Sequence, residues 1–226
     1  MKAKLVFLLM IGAVAILPTR ASAGEFEAHC EGATLCKGII QGTGAFHMRE
    51  TSFLALEVTC TSVEGETTLT TTSSTGSARL TFQGCSLSTG VKCGTPPWTG
   101  TITTNPLTTD FIRIDPISAE KATGTPGVLF TGLNVTITCG EGGFVRTITG
   151  SVIGHIENPE CGVSRTHHTI SFEESSAGQQ RFKQVTTAGA IYNLNWGSPG
   201  GLALPTSWMG TWHTTYAPGT PVKLTC

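Results

Sequence analysis

The sequence predicts an all-β, antiparallel fold, a sandwich or barrel tied by disulfides and possessing two related halves. Three observations predict it. Apolar and polar residues alternate with a period of two over several short stretches. Glycine and proline separate those stretches, and beyond the N-terminus no long window has helical spacing. The chain has 8 cysteines, and all of them follow an N-terminal export signal.

The signal has three parts. Lys2 and Lys4 give a positive start, Leu5 to Leu17 is an apolar run, and Pro18 breaks it ahead of Ala21-Ser22-Ala23, the small-x-small pattern of a cleavage site. The run is shorter than the about 20 apolar residues that span a bilayer as a helix. Gly24, not cysteine, follows the cut, so no lipid anchor is expected. No second long apolar stretch follows, so no integral membrane segment is expected after signal removal. The expected location is secreted or extracellular.

Loss of Lys2, Lys4 and Arg20 takes the formal charge from −1 to −4. Nucleic acids and anionic membranes need basic stripes, so neither is an expected partner. Only 13% of the residues are charged. Thr, Ser and Gly take the surface positions, and β-branched Thr suits a pleated, half-exposed face.

Four segments are expected. Residues 1–23 form the signal peptide. Residues 24–50 form an N-terminal segment with a small loop between Cys30 and Cys36. Residues 51–120 form a first β unit, and residues 121–226 a second with an aromatic-rich tail. Leu54, Leu56, Val58 and Cys60 alternate with polar residues, as do Ala78, Leu80 and Phe82, and then Leu133, Val135, Ile137 and Cys139. Weaker strand patterns cover 101–104, 110–115, 144–149, 151–156, 169–173, 182–186 and 190–195.

The cysteine gaps contain no CxxC and fit no zinc finger or ribbon, so disulfides are expected. Val58-Thr59-Cys60, then Thr75-Gly76-Ser77-Ala78, then Cys85 is echoed by Ile137-Thr138-Cys139, Thr149-Gly150-Ser151-Val152 and Cys161. The echo suggests a duplicated unit with Cys60–Cys85 and Cys139–Cys161 bridges. Cys30–Cys36 and Cys93–Cys226 then follow by elimination.

Phe82-Gln83-Gly84-Cys85, Val91-Lys92-Cys93-Gly94, Gly100-Thr101-Ile102-Thr103-Thr104-Asn105-Pro106-Leu107 and Gly150-Ser151-Val152-Ile153-Gly154-His155-Ile156 resemble a group of uncharacterised secreted, cysteine-containing all-β proteins of soil-type bacteria. The resemblance runs from Leu54 to Phe182. It implies bacterial export and an all-β fold, and it carries no known activity and no functional residue.

Chemistry is sparse. His155, Glu157 and His168 are the candidate metal ligands, since imidazole and carboxylate suit zinc; the bland reading is hydrogen-bonded strand histidines. There is no GxSxG. Asp110 and Asp115 share a strand at an odd offset, which puts them on opposite faces. Three of the four tryptophans, Trp196, Trp208 and Trp212, fall in the tail with Tyr192 and Tyr216. Trp196, Trp208, Trp212 and Tyr216 are the candidate binding residues, because exposed rings stack on sugars or anchor partners. The competing reading is that they cap the core. The expected function is a non-catalytic secreted or surface-associated protein, a binding module for a glycan or another protein, with no cofactor. The alternatives are a metal-assisted secreted hydrolase and a protease inhibitor presenting the loop Gly94–Trp98.

Overall fold

The computed structural model describes residues 26–50, 56–71, 74–96, 98–116, 125–141, 143–175, 179–185, 191–198 and 203–225. The expected leader, residues 1–23, and Cys226 lie outside them. Every regular element among the described residues is a strand. In chain order these are β1 (Glu27–Cys30), β2 (Leu35–Glu50), β3 (Glu57–Thr70), β4 (Thr75–Gln83), β5 (Ser86–Leu87), β6 (Cys93–Gly94), β7 (Thr101–Thr103), β8 (Leu107–Pro116), β9 (Thr125–Cys139), β10 (Phe144–Ile156), β11 (Ser164–Arg165), β12 (His167–Phe172), β13 (Phe182–Val185), β14 (Leu194–Gly197), β15 (Ala203–Tyr216) and β16 (Val222–Thr225).

The long strands close into a ring of antiparallel pairs. β2 pairs β3, β3 pairs β4, β4 pairs β8, β8 pairs β9, and β9 pairs β10. β10 then pairs β14 along its first half and β12 at its end. Both β12 and β14 pair β15, which returns to β2. The fold is therefore an up-and-down barrel in which β12 and β14 share one stave. Closure gives each of these long strands a partner on both sides along part of its length. A small sheet, β1-β16-β11, is not hydrogen-bonded into the ring but packs Ala28, Val222 and Leu224 into the same core, and β13 lies on the end of β8.

Alternation decides which side chains enter the barrel. Leu80 and Phe82 on β4, Val135 and Ile137 on β9, and Ile170 and Phe172 on β12 are buried. Trp208, Trp212 and Tyr216 recur every fourth residue of β15, so period two puts all three inside. Opposite them β2 offers glycines. A Cβ on Gly42 would meet Phe46 Cζ at 2.7 Å and Trp212 Cβ at 3.0 Å, and one on Gly38 would meet Tyr216 Cδ1 at 3.2 Å. Small residues on one stave make room for large rings on the next.

A second, smaller apolar cluster lies outside the ring. Ile112, Ile114, Leu129 and Ile153 pack there under Phe182, with Tyr192 against them. The stretch of β8 to β10 beneath is thus buried on both faces.

The disulfides partly follow expectation. Cys30–Cys36 and Cys60–Cys85 are bridged. Cys139 is bonded to Cys93, which overturns the Cys139–Cys161 and Cys93–Cys226 pairings. The cause is register: β6 lays Cys93 directly opposite Cys139 on β9, with Cα atoms 4.1 Å apart. Cys161 is disulfide-bonded, and its partner lies outside the described residues. The sequence echo also loses its structural basis. Cys60 stands near the start of β3, whereas Cys139 is the last residue of β9. Strands from residues 24–50, 51–120 and 121–226 all enter the same ring.

Candidate functional site

The candidate metal ligands do not converge. His155 faces outward on β10, opposite Ser171, and its Nδ1 lies 2.9 Å from Glu173 Oε1. Glu173 is also paired with Arg181. Glu157 accepts a hydrogen bond from Ser171. His168 lies an odd number of residues from Ser171 and points the other way, into the barrel. There it is buried and meets the Tyr216 ring edge-on, with centroids 5.7 Å apart. Desolvation, helped by the positive charges of His167 and Arg165, pushes its pKa down to about 4. Among the described residues no group of three His, Cys, Asp or Glu is arranged to hold a metal ion.

Hydroxyl and imidazole groups do meet among the described residues, at His47 without the geometry of a proton relay. A relay needs the nucleophile on one imidazole nitrogen and the carboxylate on the other. His47 Nδ1 lies 2.6 Å from Glu57 Oε1, and Thr59 Oγ1 lies 3.3 Å from that same nitrogen. Ser207 donates directly to Glu174 at 3.0 Å. This set continues through Arg49, which reaches Glu174 and Glu57, and forms a charged strip at one end of β2, β3 and β15. Asp110 is half-buried and its pKa is raised, chiefly by desolvation. The side chain of Asp115 lies outside the described residues.

The tail aromatics are core residues, which corrects the binding-patch expectation. Trp196 and Trp212 are 0% exposed, Trp208 2% and Tyr216 5%. They are knit to phenylalanines from other staves: Phe172 to Trp212 at 4.4 Å, Phe82 to Trp208 at 5.0 Å, and Phe144 to Trp196 at 6.3 Å between centroids. Burial also pushes the Tyr216 phenol far above its ordinary range. Two spaces among the described residues of the barrel interior measure about 20 Å³ beside Tyr216 and about 10 Å³ beside Trp208. That is room for about one water molecule. An eight-stave barrel either fills its interior with side chains or holds one small ligand; this one is filled.

Open space lies outside instead. A depression of about 550 Å³ crosses the outer face of β2, β3, β4 and β7. The strand registers arrange its lining in two rows. Gln41, Glu64, Thr81 and Thr103 stand opposite one another in one row, and Ile39, Glu66 and Arg79 in the next. Gln83 Nε2 donates to Glu64 Oε1 at 2.6 Å, and Thr81 Oγ1 lies 3.4 Å from Thr103 Oγ1. Ile39 is 58% exposed, which is unusual for an isoleucine. None of these residues was singled out by sequence reasoning. The signal was present in Glu64 and Glu66, which alternate with Val63 and Gly65 on a strand that continues well past Cys60.

Hydrogen bonds brace the described part of the loop Gly94–Trp98. Thr95 N donates to Thr101 O at 2.9 Å and Cys85 N to Gly100 O at 2.8 Å, beside two disulfides. Trp98 is 40% exposed, and residue 97 lies outside the described residues.

Fold and site together define the class: a disulfide-bonded, filled β-barrel with a polar depression on its outer wall. Comparison with protein-family models, curated proteins and solved structures finds no match to this chain.

Proposed function

We propose that this chain is a secreted or surface-associated bacterial protein, exported through its N-terminal signal, that binds a ligand without transforming it. The observation that carries the reading is the depression of about 550 Å³ on β2, β3, β4 and β7, set on a barrel whose interior is filled. The depression is open along the sheet and lined mostly by polar side chains, which suits a ligand that lies on the surface. Apart from Ile39 and Gly65, the residues around it carry hydrogen-bonding side chains on paired strands, without an activated nucleophile or a convergent acid–base pair. Three disulfides and a bonded Cys161 suit an oxidising compartment.

The test is amide chemical-shift mapping of the oxidised protein against glycans, peptides and small apolar compounds, alongside assays for ester, peptide and glycoside hydrolysis. The reading expects shifts at residues 39–41, 64–66 and 79–81 and no turnover. Turnover, or shifts confined to the barrel interior, would overturn it. The braced loop supports a second reading, a protease inhibitor acting through Gly94–Trp98, and slow cleavage with tight protease binding would favour it.

A further inference from the structure

We infer that the ligand of the outer depression is a linear, uncharged polysaccharide that runs across the strands; this rests on the reading of that depression as the binding site. The row Gln41, Glu64, Thr81 and Thr103 steps from strand to strand. Neighbouring strands lie about 4.8 Å apart, so the row is about 14 Å long. Each step is comparable to one residue of an extended glycan chain. The row offers an amide, a carboxylate and two hydroxyls, the donors and acceptors that bind vicinal sugar hydroxyls.

Other occupants fit less well. An extended peptide binds a sheet by adding a strand to a free edge, but β3 is paired with β2 on one side and with β4 on the other along this stretch. A nucleic acid or other polyanion would face Glu64 and Glu66 with only Arg79 to balance them. A polycation would meet Arg79, which stands opposite Glu66 in the same depression. An apolar molecule would find one aliphatic side chain, Ile39, in a lining otherwise polar. Ile39 instead suits the C–H face of a sugar ring.

The experiment is calorimetric titration of the oxidised protein with linear β-linked glucose oligomers, from the monosaccharide to the hexasaccharide, with amide mapping in parallel. Affinity is expected to rise with each added sugar up to the trisaccharide or tetrasaccharide, where the row ends, and then to level off. Gln41→Ala and Glu64→Gln should each weaken the tetrasaccharide about tenfold, or about 1.4 kcal/mol, while His167→Ala, away from the depression, leaves it unchanged. Both altered side chains are exposed, and circular dichroism confirms that each variant is folded. Binding in the depression that does not grow with chain length, or that is confined to peptides, overturns the polysaccharide inference and leaves the binding reading standing. Failure of every probe in the panel to perturb the depression overturns both.

Discussion

The ring of Phe46 fills the space that a side chain at Gly210 would need: a Cβ there would meet Phe46 Cδ1 at 2.2 Å. Gly210 also has φ of +142°, a backbone conformation that side-chain-bearing residues rarely adopt. Glycine at this position of β15 therefore lets Phe46 enter the barrel, where its ring meets Phe82 with centroids 6.0 Å apart. Gly210→Ala is expected to destabilise the protein by about 3 kcal/mol through overpacking and backbone strain. Phe46→Ala should cost about 3–5 kcal/mol by opening a cavity. The double variant should cost clearly less than the two added together, because the overlap is then gone. Urea denaturation of the three variants measures this; strict additivity would show that the two positions are not coupled.

His168 makes the barrel sensitive to acid. Its pKa is about 4 in the folded protein against an ordinary value of 6.5, chiefly because burial penalises the imidazolium. The unfolded chain therefore takes up the proton first as pH falls. Between pH 6.5 and about 4 the unfolded state binds more protons, so stability rises with pH across that window. The contribution is absent above the window, grows as pH drops through it and is constant below it. The full penalty is about 3 kcal/mol. Urea midpoints at neutral pH and near the lower end of the window should differ in the native chain. His168→Leu should remove most of the difference, and a variant that keeps the full acid slope would rule His168 out as its source.

Cys93 and Cys139 close a loop with a sequence separation of 46, against 25 for Cys60–Cys85 and 6 for Cys30–Cys36. Chain-entropy arguments give about 4 kcal/mol for the longest loop and about 2 kcal/mol for the shortest. Replacing both members of each pair by alanine should therefore destabilise most at Cys93/Cys139 and least at Cys30/Cys36. Peptide mapping without reduction should yield a fragment joining Cys93 to Cys139. A fragment joining Cys139 to Cys161 would contradict the register of β6 on β9.

The all-β class was legible because alternation leading into Cys60 on β3, in β4 and in β9 survives in sequence as an apolar residue at every second position. Two of the longest strands, β2 and β15, were not legible as strands. Gly38 and Gly42 interrupt the apolar alternation of β2, and their side of the wall is taken by Thr67, Thr214 and Tyr216 at Gly38 and by Phe46 and Trp212 at Gly42. Trp208, Trp212 and Tyr216 in β15 read as a cluster in a glycine- and proline-rich tail. Their spacing of four is also a multiple of two, so one buried strand face explains it. Missing this seam hid the closure of the barrel. It also hid the depression, whose rows exist only once β2, β3, β4 and β7 are placed in register. Neither the Cys93–Cys139 bridge nor the separation of His155 from His168 is local: the first depends on which strands meet, the second on which way the side chains of β10 and β12 face.

The same burial gives a direct optical check on where the tryptophans lie. Trp196, Trp208 and Trp212 are sealed in the barrel, whereas Trp98 is 40% exposed on the braced loop. Iodide is charged and does not penetrate a packed apolar core, so in the native state it should quench only the part of the emission that comes from Trp98. Trp98→Phe should leave a protein whose native fluorescence is blue-shifted and almost unquenched, and unfolding should restore quenching of the remaining three. Trp98 is not among the side chains that line the outer depression. Saturating oligosaccharide should therefore leave the iodide quenching of the native chain unchanged, even as it moves the amides of residues 39–41 and 64–66. Strong quenching of the Trp98→Phe protein in its native state would mean that the tail aromatics reach solvent, as a tail-borne binding patch requires, and would count against a filled barrel.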